Sequence, residues 1–256
     1  MIKLAVNTEL KIILNLCKNS AIGCRIESLI RAYGINYGFL LPYILTDNNN
    51  PYGVLCSVDN NFLLVSKRKL TDGEETELTS FIKIVGGKTL LSDEPVKALK
   101  NINALKGTII LNENLKHKIT KENSEAEINF DTPFKKVYSI LTSRKELTLP
   151  EFNSWYVDIS HQVRHETMLV STVLFNKIPA AAAVASAITD KAVFLSGVTS
   201  LPQFSGRGLG MLAVKSLLSN EKIKNKKVFA FRRAETEKFY SKLKFNKTGE
   251  FYQYRF

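Results

Sequence analysis

Val198-Thr199-Ser200-Leu201-Pro202-Gln203-Phe204-Ser205-Gly206-Arg207-Gly208-Leu209-Gly210-Met211 is the stretch on which the fold of this 256-residue chain turns. An apolar, β-branched run, residues 192–199, ends here. A glycine-rich loop over 200–206 follows, and Leu209, Leu212, Ala213 and Leu217 then mark the apolar face of a helix over 208–220. The first amides of a helix have no intrahelical partner and point outward, with the positive end of the helix dipole behind them. Glycines at 206, 208 and 210 keep the approach to those amides clear of Cβ atoms. The segment therefore reads as a site for an anion such as phosphate.

Two common phosphate loops are excluded. No GxxxxGK[ST] run exists in the chain. The dinucleotide pattern GxGxxG fails at Met211, and no acidic residue follows a second parallel strand. Working outward, helices are expected over 134–142 and 152–164. Strands are expected over 168–176 and 180–187, with Asn176-Lys177 as the turn between them. Downstream come a strand over 227–231, a helix over 235–242 and a final strand over 251–256. The order βββ-α-β-α-β predicts an α/β (α+β) fold, a mixed sheet with helices on its faces.

The loop resembles motif A of the GNAT N-acetyltransferase superfamily, [QR]xxGx[GA]. Gly208 and Gly210 take its two small positions, and Ser205 stands where Gln or Arg is usual. Downstream, Phe239-Tyr240-Ser241-Lys242-Leu243-Lys244-Phe245 is similar to the family ending lYeklGF, with Lys244 in place of Gly. The resemblance implies a mostly antiparallel GNAT-like sheet and acetyl-CoA as cosubstrate. It places the backbone of Val198, Thr199 and Ser200 along the pantetheine arm. It places Ser205, Gly206, Arg207, Gly208, Leu209 and Gly210 around the pyrophosphate, and it makes Tyr240 the acid that protonates the leaving thiolate. It implies direct transfer of an acetyl group to an amine on a small molecule or peptide. The alternative is a non-catalytic acyl-CoA-binding or regulatory protein with the same fold.

A general base is not singled out. Asp158, His161 and His165 share a helical face at spacings of three and four residues, and Glu166 follows them. These groups could relay a proton or simply be structural. His161 and His165 also have metal-ligand spacing, but no third ligand is evident and GNAT chemistry needs no metal.

The first half reads as helical to about residue 33, then as a strand over 39–45. A turn at Asp47-Asn48-Asn49-Asn50-Pro51 leads to a hairpin of strands 53–57 and 62–66. A helix from Thr71 to Ile84 and a strand over 89–91 follow. From 112 to 129 the chain is polar and charged without apolar periodicity, which sets the expected boundary between a domain at 1–125 and one at 126–256. Hairpin, helix and strand recur in both halves, but only the second has the glycine loop. The first therefore resembles the degenerate partner of tandem GNAT proteins.

Lys plus Arg number 36 against 24 Asp plus Glu, a formal charge of +12. The lysines are scattered, and no RNP-like or helix-turn-helix pattern accompanies them, so a nucleic-acid partner is not expected. No apolar run approaches the ~20 residues of a membrane span. Three cysteines, Cys17, Cys24 and Cys56, form no CxxC pair, which together with the absence of a leader-like start predicts a cytoplasmic protein.

Overall fold

Turn chemistry and apolar spacing account for most of the elements in the computed structural model. It describes residues 1–35, 37–113, 125–144, 147 and 149–256. Residues 114–124 of the polar stretch thus lie outside the described residues. The chain divides into two units, one of Met1–Ile110, Phe231–Ala234 and Lys247–Phe256, the other of Leu111–Ala230 and Glu235–Asn246.

The first unit opens with β1 (Ile2–Leu4), α1 (Leu10–Cys17), α2 (Ala21–Tyr33) and β2 (Leu40–Asp47). The expected helical start is corrected at Ile2, which pairs with Leu45 as an antiparallel edge strand. Three residues are too few to show an alternation. β3 (Asn50–Val58) and β4 (Asn61–Ser66) form the expected hairpin, turned by Asp59 and Asn60 in the left-handed region. α3 (Asp72–Ile84) carries the chain over to β5 (Thr89–Ser92), which lies parallel to β4. β6 (Leu105–Asn112) completes this run and was not anticipated.

The second unit contains β7 (Ala126–Asn129), α4 (Phe134–Leu141), α5 (Phe152–Arg164), β8 (Leu169–Phe175), β9 (Ile178–Ile188), β10 (Ala192–Ser200) and α6 (Leu209–Ser219). β11 (Lys227–Arg232) and α7 (Glu237–Lys242) follow, with Phe231 and Arg232 counted in the first unit. The sheet runs β11-β10-β9-β8-β7, antiparallel except for the β10–β11 pair. Its central strand β9 carries Ala180, Ala181, Ala182, Ala183 and Ala185, all fully buried. Side chains this small let a helix lie close on each face, α4 on one and α6 on the other. On the α4 face, Val137, Ile140, Leu141, Trp155 and Ile159 pack on Val170, Ala182 and Val184. On the α6 face, the hydroxyls of Ser171 and Ser216 satisfy each other within the core.

The last strand, β12 (Asn246–Arg255), departs from the expected division at residue 125. It pairs with β5 through Tyr252↔Ser92 and Tyr254↔Leu90, and the first unit's strands run β1-β2-β3-β4-β5-β12-β6. Tyr254 is buried among Leu55, Phe62, Leu64 and Leu90, and its hydroxyl accepts the Val96 amide at 2.9 Å. The final strand is therefore held by the core of the first unit.

Candidate functional site

The site is built where β10 leaves the sheet. β10 pairs with β11 only from Ala192 to Leu195, whereas its pairing with β9 continues to Ser200. Between Ser196 and Thr199 it takes one residue more than β9, a bulge with Gly197 at φ +56°. A Cβ at Gly197 would sit 3.1 Å from Val184 Cγ2 and 3.3 Å from Leu141 Cδ2. Gly197→Ala is therefore expected to destabilise the protein by about 1–2 kcal/mol, through left-handed strain and crowding. A lowered midpoint of thermal unfolding is the check.

Past the bulge the side chains take opposite faces. Val198 faces α6, lying 3.9 Å from where a Gly210 Cβ would be. Thr199, opposite Ala182, faces α4 and is 7% exposed, with no hydrogen-bond partner for its Oγ1 among the described residues. The next turn, at 202–204, is closed by Phe204 N to Leu201 O and Ser205 N to Pro202 O.

Residues 206–211 then present a run of backbone amides with no partner among the described residues. Gly206 and Gly208 hold φ of +78° and +76°, and a Cβ at either would meet nothing within 4 Å. The space over them is open, and only glycine enters this backbone region without strain. Gly208 is the N-cap of α6, with no side chain capping it and no acidic residue in the first turn. The arrangement is a cradle of N–H donors at the positive end of an 11-residue helix. The Arg207 guanidinium lies 5.0 Å over the Phe175 ring and 6.0 Å from the Phe204 ring.

The same point of the first unit has different chemistry. Between β4 and α3, Thr71 accepts the Glu74 amide while the Glu74 carboxylate accepts the Thr71 amide, a closed capping box. Arg68 grips both Glu74 oxygens, at 2.7 and 2.8 Å. That grip, with the backbone bond to Thr71, holds the Glu74 carboxyl down at about 2. Asp72 and Glu75 add negative charge in the first turn. This helix start supplies its own anion, and β4 has no bulge against β3.

Tyr240 lies on α7, which follows β11 as the glycine cradle follows β10. Both therefore leave the carboxyl ends of the parallel β10–β11 pair, the end at which open sheets bind ligands. The phenol is 8% exposed and packs edge-on against Phe245 and Phe239. Burial raises its pKa to about 12. Asn112, buried, donates to Leu243 O at 2.6 Å and so holds the carbonyl end of this short helix. Lys244 sits at φ +60°, which explains why a glycine suits that place. Lys244→Gly is expected to gain about 0.5–1 kcal/mol, left-handed strain being relieved against a freer unfolded chain. A raised unfolding midpoint would register it.

The four candidate bases are not brought to this end. The rings of His161, in the last turn of α5, and His165, which caps it, stand 4.3 Å apart. The turn after them returns through Thr167, whose carbonyl accepts the amide of Ile188. Ile188 is opposite Val193 near the start of β10, so the strand from Val193 to Ser200, roughly 23 Å, leads from there to its exit. Glu166 pairs with Lys222 at 2.7 Å, beyond the carboxyl end of α6. Asp158 accepts from Gln162 Nε2 through both carboxylate oxygens, at 3.0 Å. Among the described residues no three His, Cys, Asp or Glu are grouped to hold a metal ion, and no helix is long and apolar enough to cross a membrane.

The residue not anticipated from the sequence is Arg144, just after α4. Its Nε donates to Ser200 O at 3.2 Å and its Nη2 to Ser205 Oγ at 3.0 Å.

Comparison with solved structures bears on this architecture. A tandem GNAT protein from the clavulanic acid biosynthesis pathway superposes over 100% of this chain and 98% of its own, with a TM-score of 0.63 at 12% identity. This chain has the tandem GNAT fold. A GCN5-related N-acetyltransferase from Sphaerobacter thermophilus gives a TM-score of 0.67 over 100% of this chain and 95% of its own, at 11% identity. Another from Kribbella flavida gives 0.65 over 97% and 95%, at 12% identity. No family model and no curated protein matches the sequence. Identities this low concern the GNAT fold and not the substrate. Within that fold the two units differ as their helix starts do, open in the second and closed by Glu74 in the first.

Proposed function

We propose that the second unit binds acetyl-CoA and transfers its acetyl group to an amine on a small molecule or peptide. The observation that carries this reading is the run of unpartnered amides at 206–211, opened by left-handed Gly206 and Gly208. Those amides would hold the pyrophosphate. The edge of Val198, Thr199 and Ser200, beyond the last pairing of β10 with β11, would hold the pantetheine arm as an added strand. An N–H of that edge would also polarise the thioester carbonyl as negative charge develops on its oxygen. Cys17, Cys24 and Cys56 all lie in the first unit and are buried, so transfer goes directly from thioester to amine without an acyl-cysteine. The amine nitrogen bonds to the carbonyl carbon, the carbon–sulfur bond breaks, and the nitrogen's proton is lost to solvent. Free thiols in a chain that uses acetyl-CoA fit the cytoplasm.

Tyr240 would donate to the departing sulfur. With its pKa raised to about 12, the phenol keeps its proton throughout the neutral range. Full transfer to a solvated thiolate of pKa about 8.5 would be uphill by roughly 5 kcal/mol. The phenol therefore serves first as a hydrogen-bond donor, the proton crosses only to a sulfur desolvated in the same site, and the phenolate then regains a proton from solvent.

The second reading, a binder of acyl-CoA without turnover, is favoured by the distance of His165 and Glu166 from the exit of β10. A screen of amines that measures free thiol release from acetyl-CoA separates the two. Thiol release that depends on the amine supports transfer. Tight binding with no release across chemically diverse amines favours the binder.

A further inference from the structure

We infer that Arg144 is a phosphate ligand of this site, delivering from the end of α4 the positive charge that the loop itself lacks at Ser205. The inference rests on the acetyl-CoA reading above. α4 is closed by Thr142, whose amide and hydroxyl both bond Tyr138 O, and by Ser143, whose hydroxyl bonds Ile140 O. This tight exit swings residue 144 onto the end of β10. There the half-buried guanidinium touches Ser200 O and Ser205 Oγ, the two ends of the loop.

Both acceptors are neutral, and Arg144 has no carboxylate partner among the described residues. A guanidinium has five N–H donors, so most of its donor fork remains available beside the free amides that begin at Gly206. An uncompensated, planar cation held against a cradle of N–H groups matches a phosphate oxygen pair, which arginine binds in bidentate fashion. Arg207, the other cation of the loop, has its guanidinium over the Phe175 ring. Arg144 reaches the cradle across the fold, from 61 residues away along the chain.

The test is a calorimetric titration of the full chain with acetyl-CoA, with inorganic pyrophosphate as competitor. Three proteins are compared: wild type, Arg144→Gln, and Arg144→Gln with Ser205→Arg. Arg144→Gln is expected to weaken acetyl-CoA about tenfold and pyrophosphate by a similar factor, with the thermal midpoint little changed. Ser205→Arg, which returns a guanidinium to the loop from its own backbone, is expected to recover most of the loss. Unchanged affinity in Arg144→Gln overturns the inference and leaves the acetyl-CoA reading intact. Lost affinity with a fallen midpoint and no recovery in the double variant overturns it too, since Arg144 is then a strut of the loop. Failure of folded wild type to bind acetyl-CoA overturns both readings.

Discussion

Gly208→Glu is expected to leave a folded protein whose affinity for acetyl-CoA has fallen more than a hundredfold. Two effects combine. Residue 208 holds φ +76°, which costs a non-glycine residue about 1–2 kcal/mol, and a built Cβ there meets no protein atom within 4 Å. The substitution therefore strains the loop without disturbing the packing beneath it. Its larger effect is electrostatic. The carboxylate falls over the amides at 206–211, where it can cap α6 as Glu74 caps α3 in the first unit. An anion already bound in the cradle excludes a diphosphate by occupancy and by repulsion. Titration of both proteins with acetyl-CoA, with circular dichroism to establish folding, is the measurement. Equal affinities would refute placement of the pyrophosphate at this helix start.

Tyr240→Phe is expected to lower turnover about a hundredfold while acetyl-CoA affinity stays within about twofold, the usual range for removing one acid in the transition state. The substitution removes one oxygen and keeps the ring that packs edge-on against Phe245 and Phe239, so folding is preserved. The pH profile gives an independent readout. Burial raises the phenol's pKa to about 12, so in wild type its ionisation should cause no loss of rate near pH 10, where an exposed tyrosine titrates. The stability sign is consistent. The unfolded chain releases this proton first, so the phenol's contribution to stability is complete below pH 10 and declines as pH rises toward 12. Unchanged turnover in Tyr240→Phe would remove the phenol from the mechanism.

How far the sequence carried the fold can be seen element by element. α5 begins at Phe152 and ends at Arg164, where apolar spacing placed it, because a long amphipathic helix repeats its signal over several turns. β8, β9 and β10 were marked by turn residues, including Asn176 and Lys177, both left-handed in the structure. β6 was missed because its start, Leu105-Lys106-Gly107-Thr108, mixes exposed and half-buried residues without a clean alternation. β12 was found over 251–256, yet nothing in its residues tells which sheet it joins. That depends on Ser92, Leu90 and Val96 far upstream. At the site, the glycine loop was legible because a left-handed backbone demands glycine locally, whereas Tyr240 was singled out by the resemblance of residues 239–245 to the family ending. Gly197 inside a strand was itself a bulge signal. Arg144 carried none, since its partners lie 56 and 61 residues away. The place of the histidine pair was illegible for the converse reason. Helical spacing brings His161 and His165 together, but only the return of the chain to Ile188 fixes the end of the sheet at which they stand.

The position of β12 bears on how the chain is made. The second unit is threaded into the first as an insertion, and residues 247–256 follow it along the chain. Domains synthesised early ordinarily fold early. Here the amino-terminal sheet must wait, with the edge of β5 unpaired and the pocket for Tyr254 unfilled, until β12 has been made. The inserted unit, complete at Asn246, can reach its fold first. A nascent chain that reaches only Asn246 would hold a finished glycine cradle in the second unit while the edge of β5 in the first is still unpaired.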